Sequence, residues 1–406
     1  MFTEVQIENY KSIQNLKIGL GRVNVFIGEN GCGKSNILEA IALAGAAAGN
    51  KLDNEFLAPR GIRVTEPEFM RSAFDKENVT KEIKINLKKT DETILNFILQ
   101  HDNQTYSSWT SVNGSLMTYE ETLSILKDPT NTRSLLSVIG QIINLLKIRP
   151  QINKDGNLSF DNNWLEEYEK IALSNISLIR QNLEEGSFRI TDFLIYSPEN
   201  SLLRTFKEEG QVQPLGTKGE GLLKLLNVLN GNSNNINAVK KQLELIDWFD
   251  DFKIHPDSDI ERTIQIKDRY LDKELPYFNQ RSSNEGFLFL MFYFALFISD
   301  DTPKFFAIDN IENALNPKLC TKLIQELVEL AKKYDKQVIF TTHNPAVLDG
   351  LDLSDDEQSL FVIYRNVDGH TKARRISAPE PLEDDDPVQL SEAFINGYLG
   401  GLPNNF

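Results

Sequence analysis

Gly28-Glu29-Asn30-Gly31-Cys32-Gly33-Lys34-Ser35 follows the pattern G-x-x-x-x-G-K-[ST], and what flanks it decides the fold. Before it, residues 23–27 form a short β-rich apolar run that leads straight into Gly28. After it, residues 36–48 are rich in helix formers and small side chains and stop at Gly49-Asn50, a C-cap signal. Strand, glycine-rich turn and helix, in that order, is the context the pattern requires. The physics is direct. Glycines let backbone N–H groups curl around phosphate oxygens, the helix N-terminus adds positive potential, Lys34 bridges the outer phosphates and Ser35 ligates Mg2+. The reading takes Gly28 through Ser35 (Gly28, Glu29, Asn30, Gly31, Cys32, Gly33, Lys34, Ser35) and Asn36 as nucleotide-contacting residues. ATP and Mg2+ are the expected cofactors, with GTP left open, and Cys32 reads as a small filler within the loop.

Outward from this loop, residues 3–8 alternate as a strand, 9–12 break it, and 81–88 alternate again, with polar β-like stretches to about 115 that predict an antiparallel lobe. Helical patterns dominate 118–251, notably 135–146 and 164–183, interrupted by turn-rich 153–156 and 231–235 and by one strand over 192–196. No heptad is sustained, so no coiled-coil arm is expected. From 305 on, strand and helix repeat: 305–308, a helix over 317–334, then 337–341 and 360–364, a parallel-sheet signature. An acidic stretch at 383–386 precedes a closing segment with Gly397, Gly400 and Gly401. The expected fold is α/β: a nucleotide-binding head with a mixed, largely parallel sheet, an antiparallel β lobe and a helical insertion. Its expected division is 1–115 (first part of the head), 116–270 (insertion) and 271–406 (second part of the head).

Two further constellations carry chemistry. Phe305-Phe306-Ala307-Ile308-Asp309 is an apolar strand ending in a carboxylate, the second element that Mg-nucleotide sites use to hold the metal. One helix later, residues 338–345 end an apolar strand in Thr341-Thr342-His343-Asn344-Pro345, where His343 reads as a γ-phosphate sensor. Ser283-Asn284-Glu285-Gly286 opens the apolar segment 287–298 with hydroxyl and amide groups, a second helix start suited to an anion.

Composition narrows the class. The 406 residues suffice for one large core with an insertion, and the net charge of −16 repels phosphate backbones at long range. The run Lys372-Ala373-Arg374-Arg375 reads as solvated surface. Cys32 and Cys320 lie far apart and match no metal-ligand spacing, so they read as free thiols. Residues 287–298 are too short to span a bilayer, where about twenty are needed. The N-terminus lacks the basic and apolar regions of a secretory signal, so a cytoplasmic location is expected, with no membrane contact.

The order of these motifs, with a D-loop-like Glu312-Asn313-Ala314-Leu315-Asn316-Pro317, resembles ABC-type ATPases. The opening Ile7-Glu8-Asn9-Tyr10-Lys11-Ser12 and the Thr342-His343-Asn344-Pro345 ending are similar to the RecF/SMC-like branch, especially the OLD-family-like ATPases of bacterial anti-phage systems. The resemblance covers about 1–48 and 282–350, with a Q-loop equivalent expected within 60–69. It implies a head-to-tail dimer that buries two ATP molecules, with Lys34, Ser35, Asp309 and His343 of one protomer facing Ser283, Asn284, Glu285 and Gly286 of the other. Two departures matter. Asn284 holds the usual signature serine position, so the contact across the dimer falls to its amide or to Ser283. Asn310 replaces the glutamate that usually follows the metal-binding aspartate, and losing a general base costs roughly 10²- to 10⁴-fold in rate. Hydrolysis is expected to be slow, with Glu312 as a substitute base or a D-loop residue. The leading expectation is an ATP-driven switch acting on a separate effector such as a nuclease, because no TOPRIM-like block follows. The alternative is a RecF-like repair ATPase that binds DNA directly, and a third is a scaffold that barely turns ATP over.

Overall fold

The computed structural model describes residues 1–111, 151–152, 158–159, 188–206, 214–254, 263–275, 277–378 and 389–402. Phe2–Tyr10 (β1) and Ile13–Gly19 (β2) form a hairpin, and Val23–Ile27 (β3) follows with all five residues buried. With Ile83–Lys89 (β4), Ile94–Gln100 (β5) and Thr110–Ser111 (β6), the hairpin builds a five-stranded antiparallel lobe in the order β2-β1-β4-β5-β6. Alternate residues such as Val5, Ile7, Ile83, Ile85 and Leu87 face inward, the period of two that leaves one face wet. Strand β2 is a gain over the sequence pattern. Its apolar positions Ile13, Leu16 and Ile18 are unevenly spaced and hide its alternation.

Gln151–Ile152 (β7) and Leu158–Ser159 (β8) pair antiparallel. The chain then supplies Ile195–Tyr196 (β9), and the helices Leu222–Asn230 and Ser233–Leu243, joined at Gly231-Asn232. Phe249–Ile254 (β10), Ile264–Asp268 (β11) and Phe278–Asn279 (β12) form a separate antiparallel sheet. Two of its strands fall within 116–270, which the sequence pattern reads as mainly helical. A register shift between Phe249 and Asp251 places Phe249 and Phe252 on one buried face three residues apart, a spacing that imitates a helix. The strand expected at 192–196 shortens to β9, because Ile190–Asp192 is a 3-10 turn. The helical patterns at 135–146 and 164–183, the turn at 153–156 and the acidic stretch at 383–386 lie outside the described residues.

The central sheet adds Phe305–Ile308 (β13), Gln337–Thr342 (β14), Gln358–Arg365 (β15) and Thr371–Ile376 (β16), in the order β16-β15-β3-β14-β13-β9. Strands β15, β3, β14, β13 and β9 run parallel and β16 closes one edge antiparallel. Strands β3, β13 and β14 are buried throughout, as parallel strands covered on both faces must be. Helix Lys34–Ala48 packs on the face toward the lobe, and its run of small residues brings it close to the sheet. Helix Glu285–Ile298 covers the other face with every residue from Phe287 to Ile298 buried. Truncating one of its phenylalanines to alanine is expected to cost about 3–5 kcal/mol. Among the described residues no helix is long and apolar enough to cross a membrane.

Candidate functional site

Strand β3 delivers Gly28 at the carboxyl edge of the central sheet, and the loop 28–33 turns into helix Lys34–Ala48. Gly33, its N-cap, has φ 109°, and a Cβ there would run into the Thr371 hydroxyl and come within 2.9 Å of Ser12 Oγ. Only glycine fits that place. The loop is held from outside: Thr371 Oγ1 donates to the Cys32 carbonyl (2.8 Å), and Arg365 Nε donates to Gly31 O (3.0 Å). Asn36 Nδ2 donates to Ser12 Oγ (2.6 Å). Lys34, nearly buried, donates to Gly28 O (2.8 Å) and Glu29 O (3.1 Å), with Nζ 3.5 Å from His343 Nδ1. Burial lowers its pKa, opposed by Cys32, Asp309 and Glu312. Desolvation pushes the Cys32 thiol up, and both cysteines are free and buried.

Directly after strand β13 comes Asp309, whose Oδ2 accepts from Ser35 Oγ at 3.2 Å and whose Oδ1 accepts from Thr341 Oγ1. Octahedral Mg2+ bonded at about 2.0–2.1 Å places two adjacent ligand oxygens about 2.9 Å apart. Ser35 and Asp309 therefore fit such an ion, which would add the positive charge that phosphate oxygens need. Asn310 occupies φ 56°, a left-handed position asparagine tolerates better than most side chains, and its N–H donates to Thr341 Oγ1 (2.9 Å). Glu312 Oε1 accepts the His343 N–H at 2.7 Å, and Glu312 Oε2 is buried with no hydrogen-bond partner among the described residues. His343 is held below the usual histidine range, first by desolvation and then by Lys34. The structure thus brings Lys34, Ser35, Asp309, Asn310, Glu312 and His343 into one cluster.

The other segment lies beyond the far end of the 309–316 turn. Asn284 caps helix Glu285–Ile298, its Oδ1 accepting from Phe287 N (2.8 Å). The Ser283 hydroxyl is buried without a hydrogen-bond partner among the described residues, while Arg204 fixes the turn by donating to Arg281 O (2.9 Å) and Ser283 O (2.7 Å). Glu285 is exposed. A Cβ on Gly286 would sit 3.0 Å from Ala314 O, so this helix start abuts the turn. A cleft of about 650 Å³ lies alongside, lined by Asn284, Gly286, Asn316, Lys318, Lys322 and Trp248 among others.

Several neighbours of the loop escape a reading by motif. Glu39, on the phosphate-loop helix and 1% exposed, takes Lys11 on one oxygen and Arg63 on the other. Arg63 also donates to Asn36 Oδ1 (3.0 Å), and Tyr10 OH donates to Glu39 Oε2 (3.3 Å). Lys11, Arg63, Arg71, Arg365, Phe69 and Phe74 line a hollow of about 430 Å³ beside Ser12 and Asn36. The segment 60–69, expected to hold a Q-loop equivalent, contributes Arg63, Thr65 and Phe69 to it. The signals were a lone acid in a helix of small apolar residues and the Lys11 that follows Tyr10. The basic run is an edge strand: Lys372 donates to Asn15 O (3.3 Å) and Arg374 to Leu399 O, charges that discourage edge pairing.

Residues 1–348 match the AAA ATPase domain family. The chain belongs to that family. It is 30% identical over 146 residues to the DNA replication and repair protein RecF of Bacillus cereus (strain G9842) and equally to RecF of Bacillus thuringiensis (strain Al Hakam). Those matches take in 34% of this chain and 37% of each relative, so the chain spans little more than a third of the RecF proteins it matches. An SMC head, solved bound to the C-winged helix domain of ScpA, superimposes with a TM-score of 0.51 at 14% identity, covering 93% of this chain and 98% of that one. The likeness is one of fold. The chain is thus an AAA ATPase-domain protein with an SMC-head-like α/β architecture.

Proposed function

We propose that this ATPase binds ATP with Mg2+ between the loop 28–36 and the Asp309 and His343 strand ends. It then closes as a head-to-tail dimer on the segment Ser283–Gly286 of a second copy. The observation that carries the reading is the cluster Lys34, Ser35, Asp309 and His343 with Asn310 standing where a base would be. Such a site binds the nucleotide with its charges in place and turns it over slowly. The head is assigned to 1–115 and 271–406, and 116–270 is the inserted region that would change shape on closure. The output is control of a separate effector, a nuclease of an OLD-like anti-phage system being the leading class, with the complex in the cytoplasm. The hollow lined by Lys11, Arg63 and Phe74 is assigned to the nucleoside part of the ligand.

The test is purification from the native host with and without ATP and Mg2+, measuring assembly mass and identifying each co-purifying chain. An ATP-dependent dimer carrying a nuclease supports the switch. A mass that ignores ATP overturns it. A second reading, direct DNA binding in repair, draws on the 30% identity to RecF, and the net charge of −16 opposes it. DNA recovered with a lone ATP-dependent dimer would favour that reading.

A further inference from the structure

The turn from Asp309 to Asn316 is tied to the end of β14 on one side and, on the other, abuts the start of helix Glu285–Ile298 and ends in Asn316, which caps the next helix, Pro317–Lys333. Its anchors are to β14: Asn310 N to Thr341 Oγ1 (2.9 Å), Ile311 N to Thr341 O (3.1 Å), and the Glu312 carboxylate to the His343 N–H (2.7 Å). At its far end Ala314, with φ 61°, sets its carbonyl against Gly286 at the start of helix Glu285–Ile298. Two residues of one short turn, Asn310 and Ala314, hold left-handed backbone without being glycine, a conformation kept only where the surroundings enforce it.

Within this turn Glu312 is placed badly for a base and well for a strut. Oε1 already accepts a backbone N–H, and Oε2 is sealed from solvent, so the carboxylate is held by the backbone rather than turned toward a water. The bond it makes fixes the backbone of His343, whose Nδ1 lies 3.5 Å from the Lys34 ammonium. With no partner on Oε2 among the described residues, the carboxylate is held there by one bond, so its hold on His343 can shift as the turn shifts. The Tyr293 hydroxyl, also buried without a partner among the described residues, belongs to the same helix as Gly286, and its phenol is raised by burial and then by Glu312.

We propose that Glu312 is a positioning residue: its carboxylate sets where His343 stands over the phosphate loop and transmits to it any displacement of the 309–316 turn against Gly286. The inference rests on the ATP-hydrolysing reading above. It deepens that reading by connecting the surface offered to a second copy with the histidine of the same protomer.

The test uses the full chain as wild type, Glu312→Gln, Glu312→Ala, His343→Ala and the double variant Glu312→Ala/His343→Ala. ATP binding is measured on every preparation with a fluorescent ATP analogue, alongside steady-state hydrolysis and a thermal melt. Glutamine keeps an oxygen for the His343 N–H, so Glu312→Gln should stay within about threefold of wild-type kcat. Glu312→Ala should lose roughly 10- to 100-fold in kcat with KM little changed, the scale expected of a misplaced group. Adding it to His343→Ala should do no further harm, since the two act as a unit. Where turnover is too slow to divide, hydrogen exchange of the 337–345 segment carries the test: ATP protects it in wild type and Glu312→Gln, and Glu312→Ala exchanges at least about tenfold faster in the ATP-bound state. Equal damage from glutamine and alanine overturns the proposal in favour of a proton-accepting role, and a harmless Glu312→Ala overturns it outright. A wild-type chain that binds no ATP overturns the nucleotide reading itself, an outcome seen in the binding arm alone.

Discussion

The loop 28–35 and the turn 309–316 face each other across the same cluster, and they are built to opposite standards. In the loop the buried groups are answered: Lys34 by two carbonyls, Cys32 O by Thr371, Gly31 O by Arg365. In the turn a carboxylate oxygen is buried without a hydrogen-bond partner among the described residues, two non-glycine residues hold left-handed backbone, and an amide, Asn310, follows Asp309. On the proposed reading, such a site would keep binding in full while it restrains the chemistry. That division is what a nucleotide-gated switch needs, because the bound state must outlast the signal it reports.

The comparison breaks first at Lys34. Lys34→Ala removes the cation that the loop carbonyls hold ready, and ATP affinity should fall about 10²-fold or more, the worth of a buried charge-assisted contact. Calorimetric titration with Mg-ATP measures this. Affinity retained within threefold means that the loop does not carry phosphate. The reciprocal change, Asn310→Glu, should raise hydrolysis roughly 10- to 100-fold by restoring a proton acceptor. The gain is partly offset by about 1–2 kcal/mol for a glutamate at φ 56°. A phosphate-release assay that finds turnover unchanged removes the missing-base explanation.

The loop was legible in the sequence for the same reason that it is orderly. Its strand, glycines and helix start are contiguous, so local spacing encodes them, and the same holds for β13 ending before Asp309 and β14 ending before His343. What holds these pieces in place is not local. Thr371 and Ser12 meet across 359 positions and Lys11 and Glu39 across 28, distances at which no periodicity survives. Strand β10 was hidden by a register shift that copies a helical period, and β2 by its uneven apolar spacing. The motif supplies the candidate ligand-binding groups, and the surrounding frame has to be seen.

Glu39 tests whether that frame matters. It is a buried acid with two cations on it, and truncating one partner of such a group is costly, about 3–5 kcal/mol. Glu39→Gln keeps the shape and the acceptor oxygen but not the charge. ATP affinity should fall about tenfold as Lys11 and Arg63 lose their anchor, since a 1.4 kcal/mol change is a factor of ten. Titration calorimetry beside a urea melt separates the two effects. A loss of stability with affinity intact would assign Glu39 to the core alone.

The smallest effect probes the contact between the two regions. His343 is depressed by desolvation first and by the Lys34 ammonium second. A base held below its ordinary value takes its proton at more acid pH than an ordinary histidine, so the fall of hydrolysis with acid should set in at lower pH than a free imidazole would give. Lys34→Met removes the neighbouring charge and leaves the desolvation. The His343 titration, followed by NMR of the imidazole Cε1 proton, should therefore move up in that variant without reaching the ordinary value. Full recovery would mean that Lys34 alone sets the shift. No movement would mean that loop and strand end do not approach within 3.5 Å in solution, and the electrostatic half of their connection would be lost while the Glu312 tie remained.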